Sequence, residues 1–290
     1  MRIKSWLSKN THSLSGKTVL ISGSTGGIGR ELCAYLASLG ASLVLLDRNR
    51  AKSEALKDEL TNRYPKLSVM LVTADMADPH SVDIAVDELL KLPIDVFICN
   101  AGAYSIPRYK CENGYDNVFQ INFVSPYTLI KRLLPLLKKR GGRVVIVGSI
   151  AHNYSRSDPT DIDFSSRKKA SLVYGNSKRY LMFTLHELFK SQTEVGFSIT
   201  HPGITFTGIT SHYPKVIFAL IKHPMKVIFP HPRRACLSVL LGVFEDTSDR
   251  EWIGPRLFNI WGRPKKQKLR TVKQKELEYF AKWNEDNFNA

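Results

Sequence analysis

The sequence predicts an α/β protein built on a single doubly wound parallel sheet flanked by helices on both faces. Short continuous apolar runs at 18–22, 42–46, 69–73, 96–99, 143–147 and 196–200 alternate with stretches of helical periodicity. A glycine-rich turn, Gly23-Ser-Thr-Gly-Gly-Ile-Gly29, joins the first run to the first helical stretch. The candidate polar residues follow the carboxyl ends of the strands, where an open α/β sheet places its ligand crevice.

The elements follow in order. Thr18-Val-Leu-Ile-Ser22 has the unbroken apolarity of a strand buried on both faces. Ile28, Leu32, Tyr35, Leu36 and Leu39 recur at helical spacing, which predicts a helix over 27–39. The alternation continues with a strand at 42–46, a helix at 51–63, a strand at 69–73, a helix at 81–91 and a strand at 96–99. A long helix at 115–139, a strand at 143–147, a helix at 172–191 and a strand at 196–200 complete it. With 290 residues, 43% of them hydrophobic, the chain can bury a large core, and no Pro/Gly/Ser-rich linker divides it. One domain is expected over 1–260, with a substrate lobe near 204–232, followed by a basic extension at 261–290.

The formal net charge is +16, and seven Lys/Arg with no acid lie between Arg263 and Lys275. That run reads as a solvated, partly disordered tail or as a contact for phosphate or anionic lipid. Nucleic-acid binding is not expected, because no zinc-finger, homeodomain or ribonucleoprotein motif accompanies the charge. Cys33, Cys99, Cys111 and Cys236 form no Cys-x-x-Cys pair, so neither a disulfide framework nor a zinc site is predicted. The eight histidines show no metal-ligand spacing. Met1 to Leu7 lacks a signal-peptide apolar run, and no uncharged apolar run reaches the roughly 18 residues of a bilayer span. A cytoplasmic protein, with peripheral membrane contact left open, is the resulting expectation.

Gly23, Gly27 and Gly29 permit a tight turn and close approach of backbone to a pyrophosphate, while the helix that follows offers free N–H groups and its positive dipole end. Asp47 lies 24 residues beyond Gly23, near the distance at which an acid meets an adenosine ribose in dinucleotide-binding Rossmann-type folds. Arg48 follows it and is suited to a 2′-phosphate. NAD(H) is therefore favoured, with NADP(H) as the alternative. A surface Asp-Arg pair at a helix start is the plainer reading of these two residues.

Tyr174 and Lys178, in Val-Tyr-Gly-Asn-Ser-Lys, stand one helical turn apart and share a helix face. An ammonium beside a phenol stabilises phenolate and draws its pKa down from about 10. The pair is thus a candidate proton donor or acceptor beside a nucleotide pocket.

Ser22-Gly-x-x-x-Gly-Ile-Gly29, Asn100-Ala-Gly102, Asn122, Ser149, Tyr174-x-x-x-Lys178 and His201-Pro-Gly203 resemble, in order and approximate spacing, the short-chain dehydrogenase/reductase family. The resemblance covers roughly 14–250. Phe119-Gln-Ile-Asn122-Phe-Val-Ser and Ser149-Ile-Ala-His152 resemble the branch of retinol dehydrogenases and related reductases of lipophilic carbonyls. Ser22 stands where the family usually has Thr, and Cys99 where Asn is commoner.

The resemblance implies an NAD(P)-dependent oxidoreductase interconverting an alcohol and its carbonyl on a hydrophobic small molecule. Tyr174 would exchange a proton with the substrate oxygen, Ser149 would hydrogen-bond that oxygen, and Lys178 would lower the phenol pKa while holding the nicotinamide ribose. Asn122 would complete a water-linked proton path through a local kink in its helix. Gly23, Gly27, Ile28, Gly29, Asp47, Arg48, Asp75, Asn100, Ala101, Gly102, Tyr174, Lys178, Pro202, Gly203 and Thr207 would line the cofactor. Taken singly, Ser149, Asn122 and Asp75 also have local readings as turn or helix polar groups. His201 is expected to be a loop residue rather than a base. The long helices at 115–139 and 172–191 resemble the pair by which such proteins form homodimers or homotetramers.

The stretch 213–230 is apolar, aromatic and punctuated by Lys215, Lys222 and Lys226, so it reads either as an interfacial lid or as a helix packed on the core or a partner. Two other functions remain compatible with the fold: a redox-neutral epimerase or dehydratase on a nucleotide-linked sugar, and a non-catalytic NAD(P) sensor.

Overall fold

The six apolar runs form the parallel strands of one sheet. The computed structural model describes residues 3–203, 230–248, 250–269 and 272–288. A first helix, α1 (Ile3–Asn10), precedes β1 (Thr18–Ser22), α2 (Gly27–Ser38), β2 (Ser42–Asp47), α3 (Arg50–Arg63), β3 (Val69–Thr73), α4 (Pro79–Leu89) and β4 (Val96–Cys99). Then come α5 (Asn117–Phe119), a π-helical turn (Gln120–Val124), α6 (Ser125–Lys139), β5 (Arg143–Val147), a 3-10 turn (Ile150–Tyr154), α7 (Ala170–Phe189) and β6 (Gly196–Thr200). The final described elements are α8 (Pro232–Ala235), α9 (Leu237–Gly242), β7 (Glu251–Leu257), β8 (Trp261–Lys268) and α10 (Gln274–Phe288).

The strand order is β3-β2-β1-β4-β5-β6-β7-β8, and all pairs are parallel except β7 with β8. The order reverses between β1 and β4, which opens a crevice at their carboxyl ends. Alternate side chains divide the core. Leu20, Val44, Phe97 and Val144 pack under α4, α6, α7 and α10, while Val19, Ile21, Leu43 and Leu45 pack under α2, α3 and α9.

Three features differ from the sequence reading. The helix expected at 115–139 is interrupted by the π-helical turn, which supplies the kink that the family resemblance implied at Asn122. The cationic run that begins at Arg263 is ordered through β8, an edge strand whose side chains are mostly solvated. Lysine and proline on such a strand discourage pairing with another chain. Finally, α10, within the expected basic extension, packs on the core, with Trp283 against Phe123 (centroids 5.0 Å apart) and Phe280 against Tyr180 (5.1 Å). Among the described residues, no helix is long and apolar enough to cross a membrane.

Candidate active site

The loop between β1 and α2 is shaped by contacts that tolerate no side chain. Gly23 has φ +68°, and a Cβ there would stand 2.8 Å from the Ala101 Cα. A Cβ on Gly29 would stand 2.3 Å from the Gly23 carbonyl oxygen. The substitution of Ser22 for the family threonine is accommodated: its Oγ accepts from the backbone N–H groups of Asn100 and Ala101, both at 3.1 Å. Asn100 Nδ2 donates in return to the carbonyls of Ser22 (3.1 Å) and Gly23 (2.8 Å). These bonds lock the Asn100-Ala-Gly102 turn to the glycine loop.

The N-cap of α2 is Gly26, which provides no side-chain cap, and the first turn of the helix contains no acid. Among the described residues no carboxylate or hydroxyl is seen to cap the leading N–H groups at this positive dipole end, a fit for phosphate. Gly26 and Gly27 are exposed and Ile28 half-buried, so the loop lies open to the crevice.

Asp47 is buried, and its carboxylate holds the loop. It accepts from the Ser24 hydroxyl, from Thr25 N and Oγ1 (both 3.1 Å), and from Ser53 Oγ (3.2 Å). Four donors match the lone-pair capacity of a carboxylate. Arg48 is exposed and faces the Asp75 carboxylate at 3.7 Å. Asp75 Oδ1 also accepts from Ala77 N (2.9 Å), a local turn role.

On the other side of the crevice, Gly102, Asn122 and Lys178 meet. A Cβ on Gly102 would stand 2.8 Å from Asn122 Oδ1 and 3.4 Å from Lys178 Nζ. The Asn122 side chain clasps the Ala103 backbone, accepting from its N–H (2.9 Å) and donating to its carbonyl (2.8 Å). Lys178 is buried, donates to the Val147 carbonyl (2.9 Å) and stands 5.9 Å from the Tyr174 ring centroid. Burial pushes its ammonium down to about 8, with Cys99 opposing the shift.

Ser149 follows β5, its Oγ accepting from Ala151 N (3.2 Å). Burial pushes Tyr174 up to about 12 against a lowering influence of the Ser149 side chain, with Tyr104 and Tyr154 adding to the rise. The direction is the reverse of the one expected from Lys178, because the desolvation of phenolate outweighs the lowering influence of Ser149.

His201 is buried and neutral. Burial lowers it to about 3, Nδ1 accepts from Gly203 N (3.1 Å), and the ring stacks on Trp252 with centroids 3.9 Å apart. Gly203 has φ +80° and packs against the β7–β8 turn. Pro202 lies beside it, half-buried, whereas Thr207 and the stretch 213–229 lie outside the described residues.

Several residues joined the site only in three dimensions. Tyr104 sets its ring edge-on to Tyr174, 5.2 Å between centroids. Ser24 and Thr25 bind Asp47. Gly175 brings α7 onto the segment after Ser149, and a glycine inside a helical pattern was the available signal for it. Among the described residues no group of three or more potential ligands could hold a metal ion.

The short chain dehydrogenase family model matches residues 17–214. Mouse retinol dehydrogenase 14 is 30% identical over 214 residues, which take in 69% of this chain and 64% of that protein, just under two-thirds of its length. A solved structure of an uncharacterised protein from Mycobacterium paratuberculosis aligns over 94% of this chain and 96% of that one, with a TM-score of 0.69 and 22% identity. L-sorbose reductase from Gluconobacter frateurii, solved with NADPH and L-sorbose, aligns over 72% and 76% with a TM-score of 0.57 and 22% identity. The glycine loop, Ser149, Tyr174 and the buried Lys178 thus sit on a shared fold and within a matched family model, and the chain belongs to the short-chain dehydrogenase family.

Proposed function

We propose that this protein is an NAD(P)H-dependent reductase of a hydrophobic carbonyl compound, with Tyr174 as the proton donor. The observation that carries the reading is the placement of the Tyr174 ring 5.9 Å from Nζ of the buried Lys178, with Gly175 seating α7 on the turn after Ser149. The hydroxyls of Ser149 and Tyr174 would together meet a substrate oxygen that gains negative charge as its carbonyl is reduced. A phenol raised to about 12 stays protonated near neutral pH, which suits the acid role and hence reduction. Lys178, charged below about 8, places a positive charge behind the phenol.

A nicotinamide dinucleotide would supply the hydride. The N–H groups of Gly27, Ile28 and Gly29 would hold its pyrophosphate, Asn100 to Gly102 would support its adenosine side, and Lys178, Pro202 and Gly203 would frame the nicotinamide ribose. The lean toward NAD(H) required an Asp47 free to accept from ribose, but its carboxylate already accepts four bonds. Arg48 is exposed next to it, so we favour NADP(H), the form bound in the L-sorbose reductase structure. The hydrophobic substrate class is supported by the aromatic ring of Tyr104 against Tyr174 and by the similarity to a retinol dehydrogenase. A homo-oligomer would have to form on surface other than the part of α6 and α7 that α10 covers.

The test is consumption of NADPH or NADH with a panel of lipophilic aldehydes and ketones. Tyr174→Phe is expected to bind cofactor as the wild type does and to lose roughly 100-fold or more in kcat. Retention of most activity by that variant would remove Tyr174 from the acid role. Turnover without net change in NAD(P)H would instead indicate the redox-neutral chemistry.

A further inference from the structure

The residue after the lysine of the site, Arg179, points into a buried network that leads away from the crevice and back to Ser149. Its Nη1 donates to the His152 carbonyl (2.9 Å). His152 in turn donates from its backbone N–H (3.2 Å) and from Nδ1 (2.6 Å) to the Ser149 carbonyl. Burial lowers the His152 imidazole to about 4, so the ring is neutral, and its donation from Nδ1 fixes the tautomer.

The same guanidinium forks onto Glu276 of α10 through Nε and Nη2, across 97 residues of sequence. Arg179 is 3% and Glu276 12% exposed. Glu276 Oε1 also accepts from Ser157 N (3.1 Å) and Ser157 Oγ (2.7 Å). The segment that carries Ser149 is thereby tied at two points, at His152 by Arg179 and at Ser157 by Glu276. A buried ion pair is weak as a source of net stability but costly to break, and the two-pronged guanidinium–carboxylate geometry restricts how the two groups can lie.

We propose that Glu276 is a positioning residue for the reaction: from the C-terminal helix it holds Arg179 and the 149–157 segment so that the Ser149 hydroxyl meets the Tyr174 phenol. Its effect on catalysis rests on the reductase reading above, while its effect on the segment does not. Ser149 and Tyr174 belong to different elements, β5 with its following turn and α7, so their contact depends on how the turn lies against the helix. Glu276 and Arg179 determine that placement without touching the crevice.

The experiment compares full-length wild type, Glu276→Gln and Asn284→Ala. Asn284 sits two turns further along α10 and ties that helix to Tyr127 Oη (3.0 Å) and the Thr184 carbonyl (2.8 Å), away from the serine segment. Glu276→Gln is expected to lower kcat by roughly 10- to 100-fold, as misplacement of a reacting group does, with the NADPH Kd within about twofold of wild type. Amide hydrogen exchange over 150–157 should rise roughly tenfold or more, as expected of local opening. Asn284→Ala should lower the melting temperature yet keep kcat within about twofold, since its ties do not reach the segment. Arg179→Lys, which keeps the charge but lacks the fork, should fall between wild type and Glu276→Gln. The proposal is overturned if Glu276→Gln leaves kcat and exchange at wild-type values, or if Asn284→Ala loses as much kcat and protection. Should wild type reduce no carbonyl, the reductase reading fails, and exchange over 150–157 alone decides the clamp: faster in Glu276→Gln upholds it, unchanged overturns it.

Discussion

Gly175 lies against Ala151 so closely that a Cβ on it would stand 2.4 Å from the Ala151 carbonyl oxygen. The contact seats the residue after Tyr174 on the turn after Ser149, and so sets how the proposed proton donor lies against that turn. A methyl group has no flexible neighbour to displace, because the obstacle is backbone. Gly175→Ala should therefore push α7 from the turn, destabilising the fold by about 1–3 kcal/mol as overpacking does and lowering kcat by roughly tenfold or more. An alanine variant with wild-type kcat and melting temperature would refute this account of the contact.

On the proposed reading, cofactor choice turns on Arg48. Its 3.7 Å contact with Asp75 is exposed, so little opposes its use by a phosphate. Arg48→Ala should raise the Kd of NADPH by roughly tenfold and leave that of NADH within about twofold, as loss of a charged phosphate contact implies. Fluorescence titration with both nucleotides reads this directly. Equal weakening of the two would show that Arg48 does not contact the 2′-phosphate.

The rate should depend on the charge of Lys178, which titrates near 8. The ammonium is present below that value and lost above it. Reduction is expected to hold level up to about pH 8 and then fall about tenfold per unit, as for one essential proton. The Tyr174 phenol, near 12, contributes no limb in this range. A kcat profile flat from pH 6 to 10, roughly the span that brackets this titration, would exclude a role for the lysine charge.

Acid should unfold the protein through two histidines. His152 and His201 are buried with folded values near 4 and 3, below the ordinary 6.5. Below pH 6.5 the unfolded chain takes up protons that the folded chain refuses, so stability falls as pH falls, by about 1.4 kcal/mol per unit for each histidine. Carboxylates such as Glu276, held below the usual range despite burial by Arg179 and Ser157, add their loss only at lower pH. Urea midpoints at about pH 7 and 5 test this; an unchanged midpoint would mean that the two rings accept protons in the folded state.

Much of the fold was legible because its signals are local. A buried parallel strand shows as an unbroken apolar run, an amphipathic helix as a 3.6-residue period, and both need only neighbouring residues to be read. β8 escaped because a solvated edge strand bears no such pattern: Arg263, Lys265, Lys266 and Lys268 look the same in a tail and on an edge. In the glycine loop and at Tyr174 and Lys178, spacing and residue type singled out the candidates, while the role given to Ser149 came from the family resemblance.

The sequence by itself determined the alternation of elements, the crevice at the strand ends and the identity of the polar groups around it. Tertiary structure alone decided what each group is doing. Asp47 is engaged by Ser24, Thr25 and Ser53, Tyr174 is raised rather than lowered, and Glu276 reaches Arg179 across 97 residues. Hydrogen-bond partners and desolvation depend on which segments meet in space, and the local patterns of a chain carry no record of that.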